Sequence, residues 1–521
     1  MPRISDALQR CSRRVLAPLD AACNRLYGWR HNPLYQSGTI AVALLGVVLI
    51  TGVYLLFFYR IGEPYGSVAR LADQRWLGGW IRSFHRYASD AAVVAVAVHA
   101  FRMFAQDRSW GPRALAWVSG LVLLFVVLVC GWTGYVMVWD AQGLTLAREG
   151  ARFLDVLPLF SEPIGRSFVG DLEIPSAFFF LNLFLHVALP VAVGLILWVH
   201  VARIARPLLL PPRPLTWGVV LLLLALSVFV PASIGPEADL FRVAERAPFD
   251  WFFNFWLPFT RPLPAWLAWI GTIVVSTALL AIPWIVKPRG VRRAPSVVDE
   301  RLCTGCRTCY LDCPYEAISM VPRDDGRAEF VARVDPALCV SCGICSGSCA
   351  PMGVGPRGRT GRDQLAGVKA FVAALPADHR AAVVIACTHG AGRVSTEVAV
   401  AGVRVHDVDC LGNLHSSVIE YLLRSGVGGV LIASCPPRDC RNREGPKWLE
   451  QRMYFGREAE LKQRVDRRRI LVVYAGEGER GRVLDGVNVL HARVAALDQP
   501  GVETDIEIDL ECEPVPEEVT P

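Results

Sequence analysis

Up to about residue 290 the chain alternates long apolar runs with short polar connections, and beyond that point its apolar stretches shrink to four to six residues. The long runs lie at 38–59, 84–105, 114–138, 177–202, 215–233 and 263–286. Each reaches the ~20 residues with which a helix crosses a bilayer, so the pattern predicts six membrane helices. In the last third, apolar runs at 381–386, 403–408, 430–433 and 470–475 alternate with helical stretches near 363–375, 413–425, 447–464 and 484–497. That βαβα order predicts a parallel sheet covered on both faces. Between these regions lies a short cysteine-rich block. The fold expected is therefore multidomain: an α-helical transmembrane bundle over 1–290, an α+β block over 296–355 and an α/β parallel-sheet domain over 380–498. An acidic tail follows from 499, and the stretch 353–362, rich in Gly and Arg, reads as a linker.

Composition agrees with a chain partly in lipid, because 53% hydrophobic residues and a mean hydropathy of +0.35 over 521 residues are too apolar for a wholly soluble protein. A net charge of +6 without a basic stripe carrying interleaved aromatics gives nucleic acid no footprint. The charge reads instead as topology. Connections on the side of the N-terminus hold 15 Lys and Arg, whereas the opposite loops hold 8. The positive-inside bias therefore predicts a multi-pass protein of the cell's inner membrane, with the N-terminus and everything beyond residue 287 in the cytoplasm. No secretory signal is expected, since the first apolar run begins near Gly38 behind a basic amphipathic segment with Arg13, Arg14, Arg25 and Arg30.

Eight of the sixteen cysteines fall between residues 303 and 349. Cys303, Cys306, Cys309 and Cys313-Pro314 form a C-x2-C-x2-C-x3-C-P run, and Cys339, Cys342, Cys345 and Cys349 repeat its spacing. The runs resemble the bacterial two-cluster ferredoxin signature, which implies two 4Fe-4S clusters with crossed ligands. One would take Cys303, Cys306, Cys309 and Cys349, the other Cys339, Cys342, Cys345 and Cys313. Structural zinc and disulfides are the competing readings; zinc rarely uses two interlocked four-cysteine runs, and disulfides do not suit a reducing cytosol.

Histidines supply the next signal, because a polar side chain inside a membrane helix is a functional candidate by default. His85 and His99 share the second apolar run, His186 and His200 the fourth, and both pairs are 14 residues apart. Fourteen residues rise ~21 Å and make almost four complete turns, so each pair lies on one helix face near opposite bilayer surfaces. Both helices run in the same direction, which matches His85 with His186 and His99 with His200. Hydrogen bonding between helices is the plainer alternative.

Residues 1 to about 290 resemble the cytochrome b family of bc complexes, most clearly from Trp80 to His200. The likeness rests on Arg82-Ser83-Phe84-His85, on Gly131-Trp132-Thr133-Gly134-Tyr135-Val136 and on Trp139-Asp140. It extends to Gly38 and Gly52, and to Gly120 and Gly134, again 14 apart, where the family packs bare backbone against its macrocycles. Glycine also serves helix packing alone. The resemblance implies two b haems, on His85/His186 and His99/His200, with Arg82 and the four glycines around them, and quinone or quinol as substrate. Departures are visible: the family's quinol-oxidation motif survives only loosely as Pro248-Phe249-Asp250-Trp251-Phe252, with Asp250 the nearest candidate for its proton-accepting carboxylate. The two last helices of the longest family members are missing, as is a Rieske-type Cys-His pair.

In the α/β region Cys387, Cys410 and Cys435 each stand at or just beyond a predicted strand end, where open parallel sheets place their sites. Cys440 follows in Ser434-Cys435-Pro436-Pro437-Arg438-Asp439-Cys440. Four thiolates converging there suit one 2Fe-2S cluster, with zinc as the alternative. Residues 380–498 resemble the delta iron-sulfur subunit of methyl-viologen-type hydrogenases, through Cys387, Val408-Asp409-Cys410, Ala433-Ser434-Cys435 and Asp439-Cys440. That family's first motif often has more cysteines than this one. His389 and His415 read as neighbours of the cluster rather than ligands. Cys11, Cys23, Cys130 and Cys512 have no partner pattern.

Together these features imply a subunit of a quinone-linked oxidoreductase: a membrane electron conduit between a quinone pool and a soluble partner like heterodisulfide reductase or a hydrogenase. A membrane anchor or docking module with structural clusters is the reading from another class. A sensor is a third, although no output domain is visible.

Overall fold

The computed structural model describes residues 4–74, 76–158, 162–168, 174–202, 206–241, 250–286, 294–376, 381–390, 403–457 and 459–499. They form two compact units, one of residues 36–287 with the first six, the other of residues 7–35 and 288–521.

Among the described residues of the first unit, five helices are long and apolar enough to cross a membrane: Ser37–Leu56, Gly78–Ala105, Gly111–Val138, Ser176–Ala202 and Ala265–Ile285. The remaining apolar run forms the shorter helix Arg213–Phe229, 17 residues, which at ~1.5 Å per residue falls short of a ~30 Å hydrocarbon core. It ends where Val230-Pro231 withdraws the backbone from helical geometry. The long helices are apolar on all sides rather than along a stripe, and large side chains such as Phe125, Val191, Trp198 and Ile273 stay exposed. That pattern suits helices surrounded by lipid, where only a fully self-bonded backbone is tolerated. Ser37–Leu56 packs chiefly on Gly78–Ala105, and Ala114–Val138 on Ser176–Ala202. Two amphipathic helices, Pro64–Asp73 and Ala141–Leu154, lie between the long ones. Asp140 caps the second by accepting from Gly143 N at 2.9 Å, and its other oxygen accepts from Gly235 N at 3.0 Å. A single carboxylate thereby ties two connecting loops together beside Trp139.

The second unit begins with the cysteine-rich block. It holds two antiparallel ladders, Val297–Val298 with Val354–Gly355 and Ile318–Pro322 with Phe330–Val334, and two single-turn helices, Thr308–Leu311 and Ile344–Gly347. The repeated spacing of its cysteines thus becomes a repeated loop and turn. Among its described residues the α/β part holds four parallel strands, Ala382–Cys387, Arg404–Val408, Gly429–Ser434 and Ile470–Tyr474, with the first lying between the second and third and the fourth at the far edge. Alternate residues of the central strands feed two cores. Val383, Ile385, Val430 and Ile432 pack with helices Gly361–Ala373, Ser416–Arg424 and Gly445–Tyr454, while Val384, Ala386, Leu431 and Ala433 pack against Arg480–Leu497. The predicted helix at 447–464 stops at Tyr454, because Gly456 takes φ +66° and the chain folds back so that Leu461 N donates to Arg452 O.

Two segments depart from their sequence reading. Residues 353–362 are not a linker: Val354 and Gly355 pair in the sheet, Thr360 caps a helix, and Arg359 pairs with Asp409 and donates to Ser341 O. From residue 7 on, the N-terminal helix Ile4–Tyr27 belongs to this second unit, where Asn24 donates to Glu479 Oε2 at 2.9 Å and Trp29 meets Tyr474 at 6.0 Å between ring centroids. The tail beyond 499, with Cys512, lies outside the described residues.

Candidate functional site

Each of the four membrane histidines lies against one of the four predicted glycines. A Cβ on Gly38 would meet His99 Nδ1 at 2.7 Å, on Gly52 His85 Cε1 at 3.1 Å, on Gly120 His200 Cε1 at 3.2 Å and on Gly134 His186 Cε1 at 3.0 Å. The 14-residue spacings therefore mark helix faces that touch, with glycine where a ring needs the room. The residue before each glycine is Ser or Thr, and three of these hydroxyls reach a ring nitrogen. Thr51 Oγ1 lies 2.9 Å from His85 Nδ1, Ser119 Oγ 3.0 Å from His200 Nδ1 and Thr133 Oγ1 3.0 Å from His186 Nδ1. Each hydroxyl donates its own hydrogen to a helix carbonyl, Val47, Ala116 and Cys130 respectively, so its oxygen is left to accept. Cys130 O also sits 2.9 Å from His186 Nδ1. Acceptors on Nδ1 assign that nitrogen the proton and leave Nε2 with its lone pair free. Sequence reading missed Thr51, Ser119 and Thr133; a hydroxyl residue before every spaced glycine was the signal.

His85 and His186 face each other with ring centroids 6.4 Å apart. Two metal–imidazole bonds of about 2 Å each, plus the two half-rings, span that separation, so the pair fits a bis-histidine b haem. Arg82, three residues before His85, bonds to Ala232 O, and its buried Nε has no hydrogen-bond partner among the described residues. A desolvated cation with a spare donor suits an acidic group of such a cofactor.

Asp250 sits close to this pair. Its carboxylate accepts from the Tyr135 hydroxyl and from Arg86 Nη2 at 3.4 Å; Tyr135 follows Gly134, and Arg86 follows His85. Arg86 also bonds Asp90 Oδ2 at 3.0 Å and lies 4.2 Å over the Tyr135 ring. Phe253 presses on the bare backbone of Gly131, where a Cβ would meet its ring at 2.1 Å. Asp250 is thus a buried acid in a Tyr-Arg-Asp network, not a solvated loop residue. Two further acceptors nearby, Asp90 Oδ1 and Asn254 Oδ1, are buried without a donor among the described residues. Arg86 and Asp90 had no place in the sequence reading. Pro248 and Phe249 lie outside the described residues.

In the second unit the eight clustered cysteines separate into two cavities. Cys303, Cys306, Cys309 and Cys349 line one, and Cys313, Cys339, Cys342 and Cys345 line the other. These are the two crossed sets. Backbone amides aim at three of the sulfurs, from Ser296 to Cys339, Ala317 to Cys313 and Gly353 to Cys349, at 3.3–3.4 Å. Burial pushes the thiols of Cys309, Cys342 and Cys349 up and that of Cys345 up to about 12. Apolar cavities lined by four cysteines each fit a cationic iron-sulfur core, which deprotonates its ligands.

Cys387, Cys410, Cys435 and Cys440 converge, all buried, at the carboxyl end of the parallel sheet. Hydrogen bonds among the thiols push Cys410 up through Cys440, and Cys435 up through Cys387 and Cys440. Among the described residues no three His, Cys, Asp or Glu side chains are placed to hold a single metal ion. His389 meets Asp409 Oδ1 at 3.3 Å, and His415 Nε2 lies 3.2 Å from Cys349 O, so both are neighbours of the cysteines. The two cysteine regions meet at bare backbone. A Cβ on Gly412 would strike Gly445 Cα at 2.6 Å and Ile344 Cγ1 at 2.8 Å, while one on Gly445 would strike Cys410 Sγ at 2.9 Å. Ile344 itself lies between Cys342 and Cys345.

Three family models match consecutive segments of the chain: cytochrome b/b6/petB over residues 28–207, a 4Fe-4S dicluster domain over 302–353, and the delta subunit of methyl-viologen-reducing hydrogenase over 372–498. Among curated proteins, the menaquinol:cytochrome c reductase cytochrome b subunit of Geobacillus thermodenitrificans is 26% identical over 180 residues, covering 33% of this chain and 79% of the relative. Among solved structures, a chain of a hyperthermophilic respiratory complex III aligns with TM-score 0.39 and 16% identity, over 48% of this chain and 75% of that one.

Proposed function

For a chain that joins a cytochrome b segment, a 4Fe-4S dicluster segment and a hydrogenase-delta segment in that order, we propose an electron conduit in the inner membrane between a quinone pool and a soluble redox partner. The observation that carries the reading is the His85/His186 pair, facing at 6.4 Å with Nδ1 protons engaged, beside the buried Asp250 network. His85 and His186 would hold one b haem and His99 and His200 a second. A haem held by two imidazoles in this way would supply electron transfer rather than oxygen binding. The six apolar runs are read as six spans despite the shortness of Arg213–Phe229, because a bilayer can thin locally around a short helix.

Asp250 is the group proposed to exchange a proton with the quinone head. Its carboxylate is shared between the Tyr135 hydroxyl and Arg86, so a proton taken up there displaces hydrogen bonds already in place. Asp90, reached through Arg86, offers the next acceptor. Cys303, Cys306, Cys309 and Cys349 would hold one 4Fe-4S cluster, Cys339, Cys342, Cys345 and Cys313 the other, and Cys387, Cys410, Cys435 and Cys440 a 2Fe-2S cluster. Low-potential centres of this kind can sit near about −400 mV, so flow from iron-sulfur to quinone is the downhill direction. Flow the other way would draw on the membrane potential, ~2.3 kcal/mol per charge per 100 mV.

The soluble partner would be a heterodisulfide-reductase-like or hydrogenase-like subunit, by the match of residues 372–498. The test is a redox titration of the purified chain with quinol added. Haem and cluster signals that equilibrate with each other and with quinol support the conduit. Clusters that never exchange electrons with the haems would leave only an anchor. Co-purification from native membranes then identifies the partner.

A further inference from the structure

Arg452 is wholly buried where the cysteine-rich block meets the α/β part of the second unit. Its Nη1 donates to Ser348 Oγ at 3.1 Å and its Nη2 to Gly412 O at 2.8 Å, while Nε has no partner among the described residues. Such a cation costs stability, since an apolar side chain of similar volume would avoid the desolvation. Its surroundings give it a use. Ser348 precedes Cys349, and Gly412 lies two residues after Cys410. Ser348 Oγ passes its own hydrogen to Asp312 Oδ2 at 2.6 Å, and Asp312, also wholly buried, precedes Cys313. Asp312 Oδ1 accepts from Arg457 at 2.8 Å through Nε, and Arg457 lies over Trp448. One line of hydrogen bonds thus runs Arg457, Asp312, Ser348, Arg452, Gly412, and it touches a segment bearing one cysteine of each of the three four-cysteine sets.

We propose that this joint, with two guanidinium groups against one carboxylate, is a shared electrostatic control of all three iron-sulfur centres, with Arg452 and Asp312 as positioning residues that set their potentials in opposite directions. The proposal rests on reading the twelve cysteines as cluster ligands. A cluster held by thiolates gains negative charge on reduction, and net charge and hydrogen bonding near the sulfurs are the protein's levers on its potential. Low dielectric around the buried joint makes a unit charge count there. Arg452, bonded to both sides, would move the cysteine-rich block's centres and the sheet-end centre together. That keeps their potentials in step, as a relay needs.

The experiment is an electron-resonance-monitored redox titration of the full-length protein and its Arg452→Met, Arg452→Lys and Asp312→Asn variants, with iron and sulfide counted in each. Arg452→Met is expected to lower the midpoints on both sides of the joint by about a tenfold change in the redox equilibrium, 59 mV for a one-electron couple. Asp312→Asn is expected to raise that of the centre holding Cys313, and Arg452→Lys to stay near the parent. Shifts of the same sign in the Met and Asn variants, or none in protein with full cluster content, would overturn the proposal. So would failure of both to assemble clusters, which marks the joint as structural; if only one assembles, its sign decides. Parent protein without iron would instead sink the cluster reading itself.

Discussion

Alanine in place of each of the four membrane glycines tests whether those glycines serve the histidines or merely let helices pack. Ordinary contact for a Cβ starts near 3.4 Å, so the new methyl must displace the ring by about 0.7 Å at Gly38, 0.4 Å at Gly134, 0.3 Å at Gly52 and 0.2 Å at Gly120. Metal–ligand distances tolerate about 0.2 Å. Gly120→Ala lies at that limit and Gly38→Ala well past it. Overpacking of this kind costs about 1–3 kcal/mol, roughly five- to more than a hundredfold in affinity. We expect Gly38→Ala to lose most of the haem at His99/His200 and keep that at His85/His186, and Gly120→Ala to keep both. Alanine is the better helix former, so a loss at Gly38 cannot be blamed on a weakened helix. Haem per polypeptide from pyridine haemochrome spectra, with the b-haem bands resolved at low temperature, reads the result. Full haem content in Gly38→Ala, or loss of the other haem, would refute the assignment of glycines to histidines.

Other expectations follow from the same geometry. Thr133→Val removes an acceptor from His186 Nδ1 and should weaken haem retention or activity 10- to 100-fold, about what loss of a partner behind a metal ligand costs, as measured by haem transfer to an apo-globin acceptor. Asp250→Asn should leave haem content and spectra intact while slowing quinol-dependent haem reduction by roughly 10²–10⁴-fold, the usual worth of a positioned acid–base group; an unchanged rate in stopped-flow absorbance would remove Asp250 from the site. Cys435→Ser in the full chain should erase a 2Fe-2S absorption and electron-resonance signal without affecting membrane insertion, whereas stoichiometric zinc and no extra iron in the parent would make the sheet-end site a zinc site.

The membrane half was legible because helices impose a period: His85 with His99 and His186 with His200 lie on single faces at any plausible crossing angle, and glycines at the same spacing had to meet them. The division of Cys303 to Cys349 between two cavities was legible through the resemblance of the two runs to the two-cluster ferredoxin signature, which implies crossed sets. What escaped were partners joined only by the fold. Thr51, Ser119 and Thr133 resemble any small polar residue in a membrane helix until a ring stands opposite. Arg86 and Asp90 acquire meaning only when a loop 160 residues on brings Asp250 to them. The composition of residues 353–362 suggests a linker, yet Arg359 and the Gly355 pairing make it part of the second unit. Parallel strands were readable from the alternation with helices. Their spatial order was not, since it depends on crossovers that leave no mark in any one strand.

The central claim is that the membrane haems and the iron-sulfur centres form one wire, and His200→Ala examines it most directly. A reductant confined to the iron-sulfur side, mixed rapidly with the protein in vesicles, should reduce both b haems of the parent. In His200→Ala the clusters should still assemble and be reduced, the haem at His99/His200 should be missing, and the haem at His85/His186 should stay oxidised. Unchanged reduction of that remaining haem in the b-band absorbance would contradict the proposed route.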